Sequence, residues 1–221
     1  ESESRGLGDV YKRQELRSII SILEKQVEWN PNIAVRVVTS PNAVAFYSAI
    51  PLNLRAFIAM PAKMSPGQPC DLIVTGRDVV ALLSNSQGVI ELDSLDQIVG
   101  AETASVSELP PSQGWQIPMH AMASDIIPVV NQAINEFDRR SVGLGERGKA
   151  DLAEEIWNRP AWGGLPVKIL YAAQRLMLIW DEPVKISAAT CGQWKRLSTP
   201  RGQVFVDSTV PSARSRMQLV N

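Results

Sequence analysis

The sequence predicts an α+β fold: an N-terminal helix plus antiparallel meander, and C-terminal helices followed by a small antiparallel sheet. Three observations predict it. Apolar residues recur at helical spacing over Leu16, Ile19, Ile20, Leu23 and Val27, after which the period shortens to that of strands. The C-terminal half reverses that order, with helical patterns first and strands last. At 45% hydrophobic and 20% charged, the 221 residues supply a core without the charge excess of a disordered chain.

The first helix ends before Asn30-Pro31, because proline pushes its predecessor out of the helical region. Ile33 to Val38, Val44 to Ser48 and Ala56 to Met60 are short runs rich in β-branched and aromatic residues. Ser40-Pro41-Asn42 and Pro51-Leu52-Asn53 punctuate them as turns, which makes an antiparallel meander covered by the first helix. A loop at Ser65-Pro66-Gly67-Gln68-Pro69 leads to an apolar run, Leu72 to Val74. Thr75-Gly76-Arg77-Asp78 then reads as a capped helix start, with Val79, Val80, Leu82 and Leu83 as its buried stripe. From Asp93 to Pro118 the chain is polar and carries Gly100, Pro110, Pro111 and Gly114, the composition of a linker or long surface loop.

Three helices are expected next: Ile126 to Arg139, with Pro128 in its first turn, Asp151 to Trp157, and Leu165 to Ile179. The third is apolar all round, the pattern of a buried helix. Strands follow at Val184 to Ala188, Trp194 to Leu197 and Val204 to Val206, joined by turns at Cys191-Gly192-Gln193 and Thr199-Pro200-Arg201-Gly202. The expected organisation is a helix-plus-meander unit over 15–92, a linker or long loop over 93–118, a helices-then-sheet unit over 119–207 and a loose tail over 208–221. Residues 1–14, and Asp9-Val10-Tyr11-Lys12-Arg13-Gln14 in particular, resemble the translated transposon end of a sequencing library. They are expected to be foreign, with the chain's own sequence starting near Glu15.

Composition narrows the chemistry. Cys70 and Cys191 lie far apart and match no metal-ligand spacing, so buried thiols are expected, with a disulfide between them left open. His120 is the single histidine, which removes metal sites built on several imidazoles and leaves one candidate imidazole base. Ser124 and Asp125 are its sequence neighbours, but a triad is a matter of geometry rather than adjacency. No catalytic residue, metal site or cofactor is expected. The most apolar stretch, Leu165 to Trp180, is interrupted by Lys168, Gln174 and Arg175, so no membrane span is expected and the location predicted is cytoplasmic.

Gly143-Leu144-Gly145-Glu146-Arg147-Gly148-Lys149-Ala150 satisfies G-x-G-x-x-G literally. A phosphate loop must follow a buried strand that aims its amides at the ligand, and here the preceding Asn135 to Arg140 is charged and helical. An interhelical loop is the expectation. Charge is uneven: residues 15–110 carry 6 Lys+Arg against 10 Asp+Glu, and residues 111–221 carry 13 against 10. Helices followed by a basic hairpin are the parts of a winged helix, with Lys195, Arg196 and Arg201 on the wing as nucleic-acid-binding candidates. Leu165 to Ile179 offers base edges only Lys168, Tyr171, Gln174 and Arg175, a poor recognition face. Five of the six tryptophans, Trp115, Trp157, Trp162, Trp180 and Trp194, fall in the C-terminal half, where packing is their expected role.

Three stretches carry a resemblance: Glu108 to Trp115 (ELPPSQGW), Gly164 to Ala173 (GLPVKILYAA) and Gly192 to Val206 (GQWKRLSTPRGQVFV). The chain resembles a family of uncharacterised actinobacterial proteins of about this length, mainly over its C-terminal half. That resemblance implies a bacterial, cytoplasmic protein and brings no activity, cofactor or site residue. The leading functional expectation is therefore a non-enzymatic protein-interaction or regulatory module. A nucleic-acid binder using the basic C-terminal sheet comes second, and an enzyme or nucleotide binder third.

Overall fold

The computed structural model describes residues 2–62, 70–86, 92–100 and 103–209, with side chains described from residue 14 onward. The chain is α+β, as the sequence predicts, and divides into two compact units. Unit 1 comprises 1–49 and 57–108, and unit 2 comprises 50–56 and 109–221.

Unit 1 is built from α1 (Ser2–Trp29), β1 (Ala34–Ser40), β2 (Ala43–Ile50) but for its last residue, β3 (Leu54–Pro61) from Phe57 onward, β4 (Asp71–Thr75), α2 (Gly76–Asn85) and the single-turn α3 (Ala104–Ser107). The strand order is β4-β1-β2-β3. β1 pairs antiparallel with β2 and with β4, Val37 lying opposite Phe46 on one side and Leu72 on the other. Along β2 burial alternates strictly, with Val44, Phe46, Ser48 and Ile50 turned inward, the period that makes a half-buried strand. α1 buries Ile19, Ile22 and Leu23 and packs on α2. The expected cap of α2 is present: Thr75 Oγ1 accepts from the Asp78 amide at 3.2 Å and donates to Asp78 Oδ2 at 2.6 Å. Helix α1 extends back to Ser2, through the segment expected to be foreign.

Unit 2 contains β5 (Gln116–Met122), α4 (Ala123–Ser141), α5 (Glu146–Trp157), α6 (Val167–Arg175), β6 (Lys185–Cys191), β7 (Trp194–Thr199) and β8 (Gly202–Asp207). Its strand order, β8-β7-β6-β5, again sets an outer strand beside a three-stranded meander. One sheet face, with Ile186, Ala188, Leu197, Val204 and Val206 all buried, lies under α6. A second cluster between α4, α5 and α6 holds Phe137, Ile156, Trp157 and Val167, with the Trp157 ring stacked on Tyr171 at 4.6 Å.

Several expectations are corrected. The segment 93–118, expected to be a linker or long loop, contains α3, whose Val106 is fully buried, and its last residues open strand β5. β5 escapes sequence reading because Pro118 interrupts it and its residues 116–120 are all exposed, so no alternation marks it. α4 begins at Ala123, which places Pro128 in the second turn rather than the first. α5 begins at Glu146, five residues earlier than expected. The helix expected over Leu165 to Ile179 is shorter, ending at Arg175 in a Schellman motif. The Leu178 amide bonds the Ala173 carbonyl at 2.9 Å and the Met177 amide bonds the Gln174 carbonyl at 3.0 Å. Met177 takes the left-handed conformation (φ 58) that this motif usually gives to glycine. Cys70 and Cys191 are thiols, as expected, but they are half-buried rather than buried. The tail from residue 210 lies outside the described residues.

Candidate functional site

Alternation along β7 decides where its basic side chains go. Lys195 shares a face with Leu197, toward the helices, and Arg196 shares the opposite face with Trp194 and Ser198. The Lys195 ammonium donates to the Gly164 carbonyl at 2.7 Å. The Arg196 guanidinium lies 4.3 Å from the centroid of the Trp115 ring. That ring is fixed by an indole hydrogen bond to the Pro111 carbonyl at 2.7 Å and by Phe205, the cross-strand partner of Arg196, at 5.8 Å. Burial pushes the Arg196 pKa down, and its Nε is buried with no hydrogen-bond partner among the described residues. On the same face Arg55 lies 4.7 Å from the centroid of Trp194. Arg201 sits in the β7–β8 turn, 3.9 Å from the centroid of Trp180, and donates to the Met177 carbonyl at 3.3 Å. The three predicted nucleic-acid residues thus occupy three separate settings, each already engaged by a carbonyl or an indole.

The other sequence candidates are equally dispersed. His120 is exposed on β5 with Ser187 as its register partner, while Asp125 belongs to the first turn of α4. The glycine string is only in part the interhelical loop expected of it: Gly143 (φ 78) turns the chain after α4, but Glu146 to Ala150 are already the start of α5. Lys168, on α6, is buried, which lowers its pKa, with Glu154 opposing that shift. Among the described residues no group of three or more His, Cys, Asp or Glu is arranged to hold a metal ion. No helix among them is long and apolar enough to cross a membrane.

What sequence reasoning missed is the contrast between the two outer strands. In unit 1, β4 is closed off: the Ile98 amide bonds the Ile73 carbonyl at 2.8 Å. Arg36 of β1 forks onto Asp71 with two bonds of 2.7 Å and also donates to the carbonyls of Val106 and Ser107. The fork raises the Arg36 pKa and lowers that of Asp71. In unit 2, β5 ends the strand order and, among the described residues, pairs with β6 alone, with Ile117 50% and Met119 43% exposed. A register shift between Gln116 and Met119, together with Pro118, roughens that edge. Only Pro118 and the apolar residues around it could have signalled this from sequence.

Residues 110–211 match the family model described as Domain of unknown function (DUF8185), a C-terminal match to a family without assigned activity. No curated protein matches the chain. Among solved structures the chain is similar to DNA polymerase III subunit beta from Borrelia burgdorferi, with TM-score 0.55 and 9% identity over 86% of this chain and 62% of that one. The DNA polymerase sliding clamp from Bacillus subtilis gives TM-score 0.55 and 8% identity over 87% and 62%. The clamp from Caulobacter crescentus gives 0.52 and 10% over 87% and 63%. At such identities the likeness is one of fold, and the chain spans less than two thirds of the length of these structures.

Proposed function

We propose that this chain is a non-enzymatic protein-interaction module, actinobacterial in origin and acting in the cytoplasm, that uses a sliding-clamp-like fold as a scaffold for assembly. The observation that carries the reading is the fold likeness to proteins named for their association with a DNA polymerase, over 86% or more of this chain. The outer strand of unit 2, which has no second strand partner among the described residues, supports it, since an unpaired edge offers main-chain donors and acceptors to a partner's extended segment. The C-terminal resemblance to uncharacterised actinobacterial proteins supports the origin.

The test is sedimentation of the full chain with a purified actinobacterial replicative DNA polymerase. A stoichiometric complex is expected; co-sedimentation no greater than that of an unrelated protein would overturn the polymerase assignment. The clamp likeness also favours a second reading, nucleic-acid binding through Lys195, Arg196 and Arg201. Fluorescence anisotropy with mixed DNA and RNA decides it, because phosphate contacts lose affinity steeply between about 50 and 200 mM salt. The variant with all three changed to Gln should abolish such binding. Salt-insensitive binding, or none at low salt, leaves the interaction module alone. The local engagement of all three cations supports the first reading over the second.

A further inference from the structure

On the sheet face of unit 2 turned away from the helices, Arg196 is half-buried without an anion. The Trp115 ring covers one face of its guanidinium at 4.3 Å, and the guanidinium makes no hydrogen bond or ion pair among the described residues. Its Nε is buried and unpartnered, and so is the hydroxyl of Ser198, two residues along β7 on the same face. Burial of a polar atom normally comes with a hydrogen bond, so two unmet atoms on one face are an exception. The register sets Ala189 and Phe205 on either side of Arg196, and Ser187 and Gln203 on either side of Ser198. None of these carries charge. Asp207 is the one acid of β5 to β8, and its register partner is Trp194 rather than Arg196. Its Oδ1 accepts from the amide and hydroxyl of Thr209 at 2.8 and 2.7 Å. The stretches that supply Trp115 and Arg55, 109–115 and 50–56, contain no acid. Arg55 and Asp207 both flank Trp194 and offset one another there, which leaves the charge of Arg196 over. Burial lowers the pKa of Arg196, opposed by the Cys191 thiol and by no carboxylate.

We propose that Arg196 and Ser198 seat a single carboxylate group of a bound ligand. A guanidinium held face-on by an indole keeps its in-plane N–H donors free, and these form the fork that matches a planar carboxylate. A half-buried charge is costly until it is paired, so a carboxylate gains more here than at an exposed arginine. The Ser198 hydroxyl adds a donor for a carboxylate oxygen. One cation balances one negative charge. A phosphate monoester carries about −1.5 to −2 at neutral pH and would leave an excess in a half-buried site. A nucleic-acid backbone needs cations in a row, whereas Lys195 lies on the opposite face of β7 and Arg201 in the turn beyond it.

The experiment is titration of the full chain with sodium acetate at constant ionic strength, following the arginine Nε–H resonances by nitrogen NMR. One resonance, absent from the Arg196→Lys variant, is expected to move and saturate. Acetamide, the uncharged isostere, should leave it in place, and inorganic phosphate should bind about tenfold more weakly than acetate. Arg196→Lys keeps the charge but loses the fork, and should weaken acetate binding, read by tryptophan fluorescence, about tenfold. Ser198→Ala removes one donor and should weaken it about fivefold. Arg139→Gln, which alters an exposed cation of α4, should leave it unchanged. A blocked tripeptide with glutamate at its centre is the second arm. Binding of acetate alone points to a small acid, and binding of the peptide alone places the carboxylate on a polypeptide. Thermal melts confirm that each variant folds, and the wild-type titration with Ser198→Ala decides the matter if Arg196→Lys does not. The proposal is overturned if neither probe moves the Arg196 resonance, if phosphate binds as tightly as acetate, or if Ser198→Ala keeps full affinity. None of these outcomes bears on the polymerase complex.

Discussion

Unit 1 and unit 2 each place an outer strand beside a three-stranded meander, yet they treat that outer strand in opposite ways. β4 is covered by its own chain, through Ile98 and through the Arg36 fork that gathers Asp71 and the carbonyls at Val106 and Ser107. β5 has no such cover among the described residues, and carries Pro118 and a register shift instead. Both devices address one hazard, the unpaired main-chain groups of a sheet edge. Covering closes an edge permanently. A proline and a bulge only discourage indiscriminate pairing, which leaves the edge open to a selected partner. The helices differ too: unit 2 inserts α4, α5 and α6 between its outer strand and its meander, with a separate aromatic core around Trp157.

The largest test of this contrast is Gly163→Ala. Gly163 (φ 64) lies so close to Ala188, the register partner of Met119, that a new Cβ would overlap the Ala188 methyl. Overpacking and a left-handed alanine together should destabilise unit 2 by about 2–4 kcal/mol in urea melts. Hydrogen exchange should show the loss in β5 and β6 while β1 and β4 keep their protection.

Arg36→Leu converts the covered edge toward the bare one. Removing the charge-assisted bonds to Asp71 and two carbonyls should cost about 1–3 kcal/mol, discounted toward the lower end because Asp71 is half exposed. The amide of Ile98 should then exchange faster, and self-association of the chain should rise. Unchanged exchange at Ile98 would mean that Arg36 is not what holds the cover.

Met177→Gly is a smaller test, and a gain. Met177 holds a left-handed conformation at 48% exposure, so glycine should stabilise unit 2 by about 0.5–1 kcal/mol. A loss would mean that its side chain packs more than its exposure suggests.

Acid sharpens the comparison further. Arg159 and Arg140 hold the Glu136 carboxyl at about 2, against an ordinary 4.5. A carboxylate depressed in the folded state stabilises it above the unfolded value and loses that effect as pH falls through the folded one. The advantage of wild type over Glu136→Gln in urea melts should therefore be full at neutral pH and shrink from about 4.5 toward 2. Asp71 is lowered in the same sense by Arg36, so unit 1 should follow a similar course through one carboxylate where unit 2 has Glu136 and Glu155.

Sequence periodicity was informative wherever an element buries one face. The helix through Leu16 and Val27, the alternation around Phe46, the Thr75 cap and the three final strands all follow from local rules. It failed where burial and sequence part company. β5 is exposed through residue 120 and broken by proline, so neither alternation nor propensity marks it. α6 stops at Arg175 without a glycine, because the buried Leu178 and Ile179 hold the turn that Met177 makes. The basic side chains were located correctly on β7 and its turn, but their partners were not legible. Trp115 and Trp180 reach Arg196 and Arg201 from 81 and 21 residues away in sequence, and only the folded chain brings them together.

Hydrogen exchange of the full chain with and without the polymerase tests the central claim most directly. An interaction module with one open edge predicts new protection across Gln116–Met122 on complex formation, with the already covered Asp71–Thr75 unchanged. Protection confined to Asp71–Thr75, or none in a chain saturated with polymerase, would contradict it.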